Sequence, residues 1–283
     1  MYTYRTRGLG YSDVEDKRCV EKISCGLPNM NKLKLVTRFE SAESKLKAGM
    51  LDPIGAGILE AAVLEVKDKL EKNPPLELYG KVVHQRRHVG FFANPDQTAG
   101  YFYSKTLARS KMPGPAMKSL MTHINDLFEA TFNGILVNYY IDGNDYISDH
   151  SDSESGLDKN AGVVIVSYGA TRTMQFKKRK DAPEGCCAFK NGKYELPLLN
   201  NSIVVMAGKN FQTSYTHGIP KQKSVEQGRF SFTFRVHDGK GEGPKLEKAE
   251  KTIARINKKL KSAGPSTEAP SVGTPAAKRM KVE

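Results

Sequence analysis

His150 and Asp152 are separated by one residue, a spacing that lets two side chains on an extended strand point to the same side. An imidazole and a carboxylate placed in this way can share one metal ion. A histidine from a distant strand would complete the set of two histidines and one carboxylate that holds Fe(II) and leaves coordination positions open. His217, which precedes the last predicted strand, is the candidate. Because a His-x-Asp pair also arises by chance in a chain with six histidines, this hypothesis needs support from other segments.

The last predicted strand, Arg229–Val236, gives that support. Its alternation places Arg229, Thr233 and Arg235 on one face and three phenylalanines on the other. An arginine inside a barrel needs an anion, because a buried charge without a partner is costly. A dicarboxylate could supply one in bidentate geometry. The alternative is that both arginines lie on a solvated face of the sheet.

Two polar residues upstream share a face in the same way. Asn138 and Tyr140 end a predicted strand, and the turn that follows leads the chain towards His150. They could offer an amide and a phenol to the same acid. The alternative is a structural tyrosine, with an asparagine that satisfies backbone groups.

The elements that must position these residues are mostly short strands. From Gly134 onward, six strands separated by turns are predicted, and two helices precede them, over Gly57–Lys72 and from Pro115. This pattern predicts a mainly β (α+β) fold, an antiparallel jelly roll with helices packed outside it. The predicted strands are Ile135–Ile141, Val163–Tyr168, Thr173–Lys177, Tyr194–Leu198, Ser202–Met206 and Arg229–Val236.

Composition limits the function classes. The 283 residues carry a net charge of +13, which favours a polyanionic partner but also fits an ordinary soluble basic protein. No apolar run is long enough to span a membrane, and four cysteines do not define a disulfide scaffold, so we expect a reduced intracellular protein without a membrane partner. Residues 1–30 are expected to form an N-terminal extension. Residues 238–283 are expected to form a basic, mostly disordered tail with a short, solvated or weakly docked helix.

The segment Asn138–Glu154 closely resembles the AlkB-like family of Fe(II)- and 2-oxoglutarate-dependent dioxygenases. The resemblance runs from about Leu78 to Arg235. It implies a double-stranded β-helix (jelly-roll) core with an N-terminal nucleotide-recognition lid. The expected oxygenase domain is 31–237, with the lid at about 78–104 and the jelly roll at about 134–237. Further matching segments are Val166–Arg172, Val205–Gly208, His217–Lys221 and Arg229–Arg235.

The resemblance also implies roles for single residues. His150, Asp152 and His217 would hold Fe(II). The residues expected to bind 2-oxoglutarate or line its pocket are Asn138, Tyr140, Arg229, Thr233 and Arg235.

Substrate contacts are implied by the same resemblance. Tyr101-Phe102-Tyr103 matches a strand whose aromatic residues stack on a flipped-out base, and Glu154 matches an acidic residue that accepts a hydrogen bond from an exocyclic amine. Tyr79-Gly80-Lys81 matches a hairpin that inserts a wedge into a duplex, and Lys81, Arg86 and Arg87 would follow the phosphates. Without the resemblance, the tyrosines would be taken for ordinary core or sheet-surface residues.

The expected activity is oxidative demethylation of N-alkylated bases, of the DNA-repair type, with O₂ consumed and with formaldehyde, succinate and CO₂ released. RNA demethylation on the same scaffold, a nucleic-acid-binding protein with an inactive core, and a protein or small-molecule hydroxylase are alternatives. The basic end, 275–283, resembles a nuclear-localisation signal. A nuclear monomer that meets an import receptor is therefore expected.

Overall fold

The computed structural model describes residues 33–41, 43–152, 162–180, 188–240 and 242–262. Three predicted features lie outside the described residues: the N-terminal extension 1–30, Glu154 and the basic end 275–283. The described part contains fifteen strands and four helices. None of the described helices is long and apolar enough to span a membrane.

The lid and the first strands occupy the N-terminal half. These elements are β1 (Leu35–Ser41), β2 (Ser44–Met50), α1 (Pro53–Val66), β3 (Pro75–Leu78), β4 (Lys81–His84), β5 (His88–Ala93), β6 (Gly100–Tyr103), β7 (Thr106–Lys111) and α2 (Pro115–Phe128). The C-terminal half contains β8 (Gly134–Tyr140), β9 (Ile147–His150), β10 (Val163–Gly169), β11 (Arg172–Lys178), β12 (Lys193–Leu198), β13 (Ser202–Ala207), α3 (Phe211–Ser214), β14 (Tyr215–Ile219), β15 (Arg229–Arg235) and α4 (Glu242–Ser262).

Two sheets form the core. The larger sheet has the order β1-β2-β13-β10-β15-β8-β5-β7-β6, and the smaller has the order β12-β11-β14-β9. Residues from both sheets meet in one apolar cluster, which includes Leu46, Val204, Met174 and Phe176. The predicted mainly β fold with a jelly-roll core is confirmed.

Helices α1 and α2 cover the other face of the large sheet. Phe230, Phe232 and Phe234 of β15 lie in the cluster beneath them, together with Leu59 of α1 and Leu120 of α2. The alternation of β15 therefore directs its phenylalanines to the helices and its polar residues to the inside of the jelly roll.

Helix α1 differs from its predicted bounds. Asp52 caps the helix by accepting a hydrogen bond from the Gly55 backbone N–H at 2.6 Å, and Pro53 occupies the first turn. The helix ends at Val66, although Leu70 beyond it is still buried. The sequence predicts a longer helix because Leu70, in the turn that follows the helix, keeps the helical spacing of apolar residues.

The expected tail contains a docked helix. α4 is 21 residues long and buries Ala249, Thr252 and Ile256 against β7, β3 and β4. The predicted helix of this tail is therefore longer than expected, and it is docked instead of solvated or weakly docked. The 3-4 spacing predicted the helix, but it could not indicate that the apolar face has a surface to cover.

Candidate active site

Two antiparallel strands bring the three predicted ligands together. In the pairing of β9 with β14, His150 lies opposite His217, and their ring centroids are 4.5 Å apart. Asp152 follows β9 directly. One ligand atom from each of the three residues lies within 4.8 Å of the others, close enough to hold one metal ion.

Neighbouring groups orient these ligands. The His150 Nδ1 atom lies 2.9 Å from the Ser148 carbonyl, which leaves Nε2 free to face a metal. The Asp152 backbone N–H donates to Gln212 Oε1 at 2.9 Å. Burial, reinforced by His150, lowers the pKa of His217 to about 3, so this imidazole is neutral at pH 7 as a metal ligand must be.

Asp152 is a buried carboxylate, and one of its two oxygens has no hydrogen-bond partner among the described residues. Its Oδ1 atom is 2.8 Å from Arg235 Nη2 and 3.4 Å from the Tyr101 hydroxyl. Its Oδ2 atom has no hydrogen-bond partner among the described residues. Burial alone would raise the pKa of Asp152, but Arg235 and the two histidines lower it below its usual range. An ionised carboxylate with an unpartnered oxygen beside two imidazoles fits Fe(II).

The polar face of β15 points into the same site. β15 pairs with β8 so that Arg229 lies opposite Tyr140 and Ser231 opposite Asn138. Thr233 is 5% exposed and lines the cavity described below. The two arginines are only 1% and 4% exposed, which excludes the alternative of a solvated face.

Arg229 is a buried cation that contacts Ser167 and Tyr140 but has no anionic partner among the described residues. Its Nη2 donates to Ser167 Oγ at 2.9 Å, but Nε and Nη1 make no hydrogen bond within the described ranges. Burial lowers its pKa to about 10, so it still carries a charge. No carboxylate of the described residues forms an ion pair with it. A guanidinium in this state fits the distal carboxylate of 2-oxoglutarate.

Arg172 shows how neutral groups can satisfy another buried arginine of this chain. It is also 1% exposed, yet it donates to the carbonyls of Asp142, Asp145 and Pro220 at 2.8 Å each. Arg172 therefore holds the turn before β9 in place. Sequence reasoning missed this role because its partners come from two distant loops.

The three residues predicted to contact phosphates differ in their exposure to solvent. Arg87 Nε donates to Asn138 Oδ1 at 2.8 Å, so this side chain reaches into the site. Arg86 is half exposed and lies 3.7 Å from Asp145. Lys81 is exposed on the lid, where a phosphate could reach it.

One cavity of about 1050 Å³ joins these groups. The Tyr101 and Tyr103 rings stack in its wall with centroids 6.1 Å apart, and Gln85 Nε2 donates to the Tyr103 hydroxyl at 2.7 Å. Phe102 is not part of the described lining. Gln85 is 4% exposed and was missed, because nothing in its local sequence indicates that it meets Tyr103.

The mouth of the cavity lies at the lid hairpin. β3 and β4 are joined by Tyr79 and Gly80, both with positive φ, as a two-residue turn requires. Tyr79 is fully exposed at the tip. The cavity therefore extends from an exposed aromatic tip to the buried ligand cluster.

A jelly roll that buries two histidines and one carboxylate beside a guanidinium with no carboxylate partner among the described residues is the arrangement of a non-haem iron oxygenase. The model of the 2OG-Fe(II) oxygenase superfamily matches residues 59–235, and the chain belongs to that superfamily. Fe(II) and 2-oxoglutarate are accordingly its cofactor and co-substrate. His150, Asp152 and His217 are grouped closely enough to hold the metal, and Arg229, Asn138 and Tyr140 line the same cavity as candidates for contact with the acid.

Curated relatives confirm the AlkB-like resemblance. The chain is 33% identical over 128 residues to the alpha-ketoglutarate-dependent dioxygenase alkB homolog 3 of Mus musculus, covering 43% of this chain and 42% of that protein. It is 31% identical over 121 residues to the DNA oxidative demethylase ALKBH2 of Homo sapiens, covering 43% of this chain and 46% of that one. The chain thus spans less than half the length of these two relatives.

Proposed function

We propose that the protein is a dioxygenase that removes alkyl groups from bases in nucleic acid, DNA in particular. The observation that carries the proposal is the cavity that connects the exposed Tyr79 hairpin with the buried Asp152 cluster, with two stacked tyrosines in its wall. A base that leaves its strand at the hairpin could stack on these rings and reach the metal. The similarity to ALKBH2, which is named as a DNA oxidative demethylase, supports DNA as the substrate.

In this proposal, 2-oxoglutarate is held at its two ends. Arg229 pairs with the distal carboxylate, because its Nε and Nη1 atoms are buried and free of other partners in the described chain. Asn138 and Tyr140 lie on the neighbouring strand and donate hydrogen bonds to the acid. When bound, Fe(II) and 2-oxoglutarate would supply the oxidation, in which O₂ is consumed, the acid leaves as succinate and CO₂, and an N-methyl group leaves as formaldehyde.

Arg235 and Tyr101 connect the metal end with the base. Arg235 holds the Asp152 carboxylate at 2.8 Å, and its guanidinium carbon lies 4.7 Å from the centre of the Tyr101 ring. A base stacked near Tyr101 is thereby kept at a set distance from the metal ligands. Extruding the base costs a few kcal/mol, and less when alkylation prevents pairing, which favours damaged bases.

The decisive experiment is turnover on matched methylated DNA and RNA oligonucleotides, with formaldehyde and succinate measured together. We expect equal amounts of both products and faster turnover on DNA. Faster turnover on RNA would assign the protein to RNA instead. Oligonucleotide binding without succinate would identify an inactive core.

The cellular part of the proposal concerns the basic end. We propose that a nuclear monomer uses Lys278, Arg279 and Lys281 for contact with an import receptor. Removing 275–283 should move the protein to the cytoplasm and leave turnover in vitro unchanged. A steady nuclear distribution with weaker, salt-dependent oligonucleotide binding would make this segment a substrate arm instead.

A further inference from the structure

Helix α4 packs mainly on β7 and on the hairpin formed by β3 and β4. Glu242, at its start, accepts hydrogen bonds from Thr98 Oγ1 at 2.6 Å and from the Ala99 backbone N–H at 2.8 Å. Further along, Glu250 pairs with Arg109 of β7. The helix is thus fixed at its start and middle to the segment that carries Tyr101 and Tyr103.

Its C-terminal half is fixed to the hairpin. Glu77 of β3, whose side chain is 11% exposed, accepts from Arg255 Nε at 2.8 Å and from Lys259 Nζ at 2.5 Å. Lys259 also donates to the carbonyl of Gly80, in the hairpin turn, at 2.7 Å. These contacts hold the hairpin tip, with the exposed Tyr79, against α4.

The same half of the helix is strongly basic. Its last twelve residues, 251–262, contain five cations and no acidic residue. Arg255 and Lys259 are engaged by Glu77, but Lys258 and Lys261 are exposed and form no ion pair with any described residue. Lys81, on the other side of the hairpin turn, is likewise exposed and unpaired within the described chain.

The position of this charge matters because α4 takes part in the cavity mouth. Thr252 lines the cavity together with Tyr79, Gly80 and Lys105. A nucleic-acid strand that inserts one base into the cavity must continue along the rim of the cavity. The phosphates on that side would then pass the basic half of α4.

We infer that α4 is part of the nucleic-acid-binding surface: it anchors the hairpin through Glu77 and binds backbone phosphates through Lys258 and Lys261. This inference rests on the proposed function for the identity of the strand. Two lysines that contact phosphates of a single strand should contribute about 1.4 to the slope of log affinity against log salt concentration.

The test compares two double variants in the full-length protein. Lys258→Ala/Lys261→Ala removes the proposed contacts, and Lys245→Ala/Lys248→Ala removes the same charge about 20 Å earlier on the same helix. Binding of a methylated single-stranded oligonucleotide is titrated between 50 and 200 mM salt. We expect the first variant to bind more weakly at 50 mM and to lose about sevenfold less affinity than wild type over that range. Equal salt dependence of the two variants would overturn the inference.

A second measurement separates anchoring from charge. Glu77→Ala frees the hairpin and raises the local net charge by one, which by itself would favour a polyanion. A rise in KM for the oligonucleotide, expected to be up to about fivefold relative to KM for a methylated mononucleoside, would therefore come from lost anchoring. Equal changes for both substrates would contradict anchoring. If wild-type protein demethylates neither substrate, the proposed function fails, while the binding titration still decides the role of Lys258 and Lys261.

Discussion

The two ends of the cavity satisfy their polar groups in opposite ways. At the metal end, formed by His150, Asp152, His217, Arg229 and Arg235, buried atoms remain without partners among the described residues. The entrance is formed by the β3–β4 hairpin, the β6–β7 turn and α4. Its polar side chains either pair with one another, as Glu77 pairs with Arg255, or are exposed to solvent.

The difference indicates where each kind of ligand belongs. Buried polar groups without hydrogen-bond partners are costly. The metal end therefore suits an invariant set of ligands that supply the missing hydrogen bonds and ion pairs. The polar groups of the entrance need no ligand to be satisfied, so under the proposed function it would accept nucleic acids of varied sequence through stacking and phosphate contacts. Substitutions at the two ends should therefore affect different kinetic parameters.

Removing a metal ligand should have the largest effect. Asp152→Ala leaves the two histidines without the carboxylate and should lower succinate formation more than about 100-fold, since even groups behind the ligands are worth 10–100-fold. Asp149→Ala, an exposed neighbour that pairs with Lys177, is the matched control. Undiminished turnover in Asp152→Ala would show that Asp152 is not a metal ligand.

Arg229→Ala should separate the co-substrate from the nucleic acid. A charge-assisted pair is worth roughly 1.5–3 kcal/mol, so KM for 2-oxoglutarate should rise about 10- to 150-fold. KM for the oligonucleotide should stay within about twofold of wild type. If KM for 2-oxoglutarate and KM for the oligonucleotide rose together, Arg229 would stabilise the fold instead of binding 2-oxoglutarate. Steady-state kinetics with each substrate varied in turn makes the comparison.

Tyr103→Ala should have the reverse signature. Stacking contributes about 1–3 kcal/mol per base, so KM for the oligonucleotide should rise roughly 5- to 150-fold with little change for 2-oxoglutarate. Tyr103→Phe keeps the ring and removes the hydroxyl that accepts from Gln85, which makes it the matched control. An Ala variant with wild-type oligonucleotide KM would show that the ring is a structural part of the lid.

The smallest effect concerns His237, between the lid and the metal end. Burial, with Arg235 beside it and Asp238 opposing, lowers its pKa from 6.5 to about 4. Below pH 6.5 the unfolded chain takes up a proton that the folded protein does not, so stability falls as the pH decreases from 6.5 to about 4. The loss at pH 5.5 relative to pH 8 should be about 1.4 kcal/mol. In urea unfolding, His237→Gln should show a weaker pH dependence, and an unchanged one would contradict the assignment.

The metal end could be predicted well because local spacing determines it. The alternation of β15 places Arg229 and Arg235 opposite the phenylalanines, and the two-residue spacing of His150 and Asp152, supported by these arginines, indicates the metal site although Asp152 lies just beyond the end of β9. The co-substrate and metal roles themselves remain predictions that the variants above test.

The entrance could be predicted only in part. The turn at Tyr79 has a local signal in Gly80, whereas the contacts of Glu77 with Arg255 and of Gln85 with Tyr103 join segments with no fixed spacing. The helical period of 246–260 likewise carries no information about what the helix covers. Such contacts follow from packing of distant elements, which is why α4 was expected to be solvated or weakly docked.

The attachment of α4 to β3 also has a consequence for biosynthesis. Glu77 and Arg255 are separated by 178 positions, and chains emerge from the ribosome N-terminus first. The hairpin is therefore made before the jelly roll that it covers, and its supporting helix is made after β15. During translation, the three candidate metal ligands can therefore come together while the hairpin at the cavity entrance still lacks the helix that holds it in place.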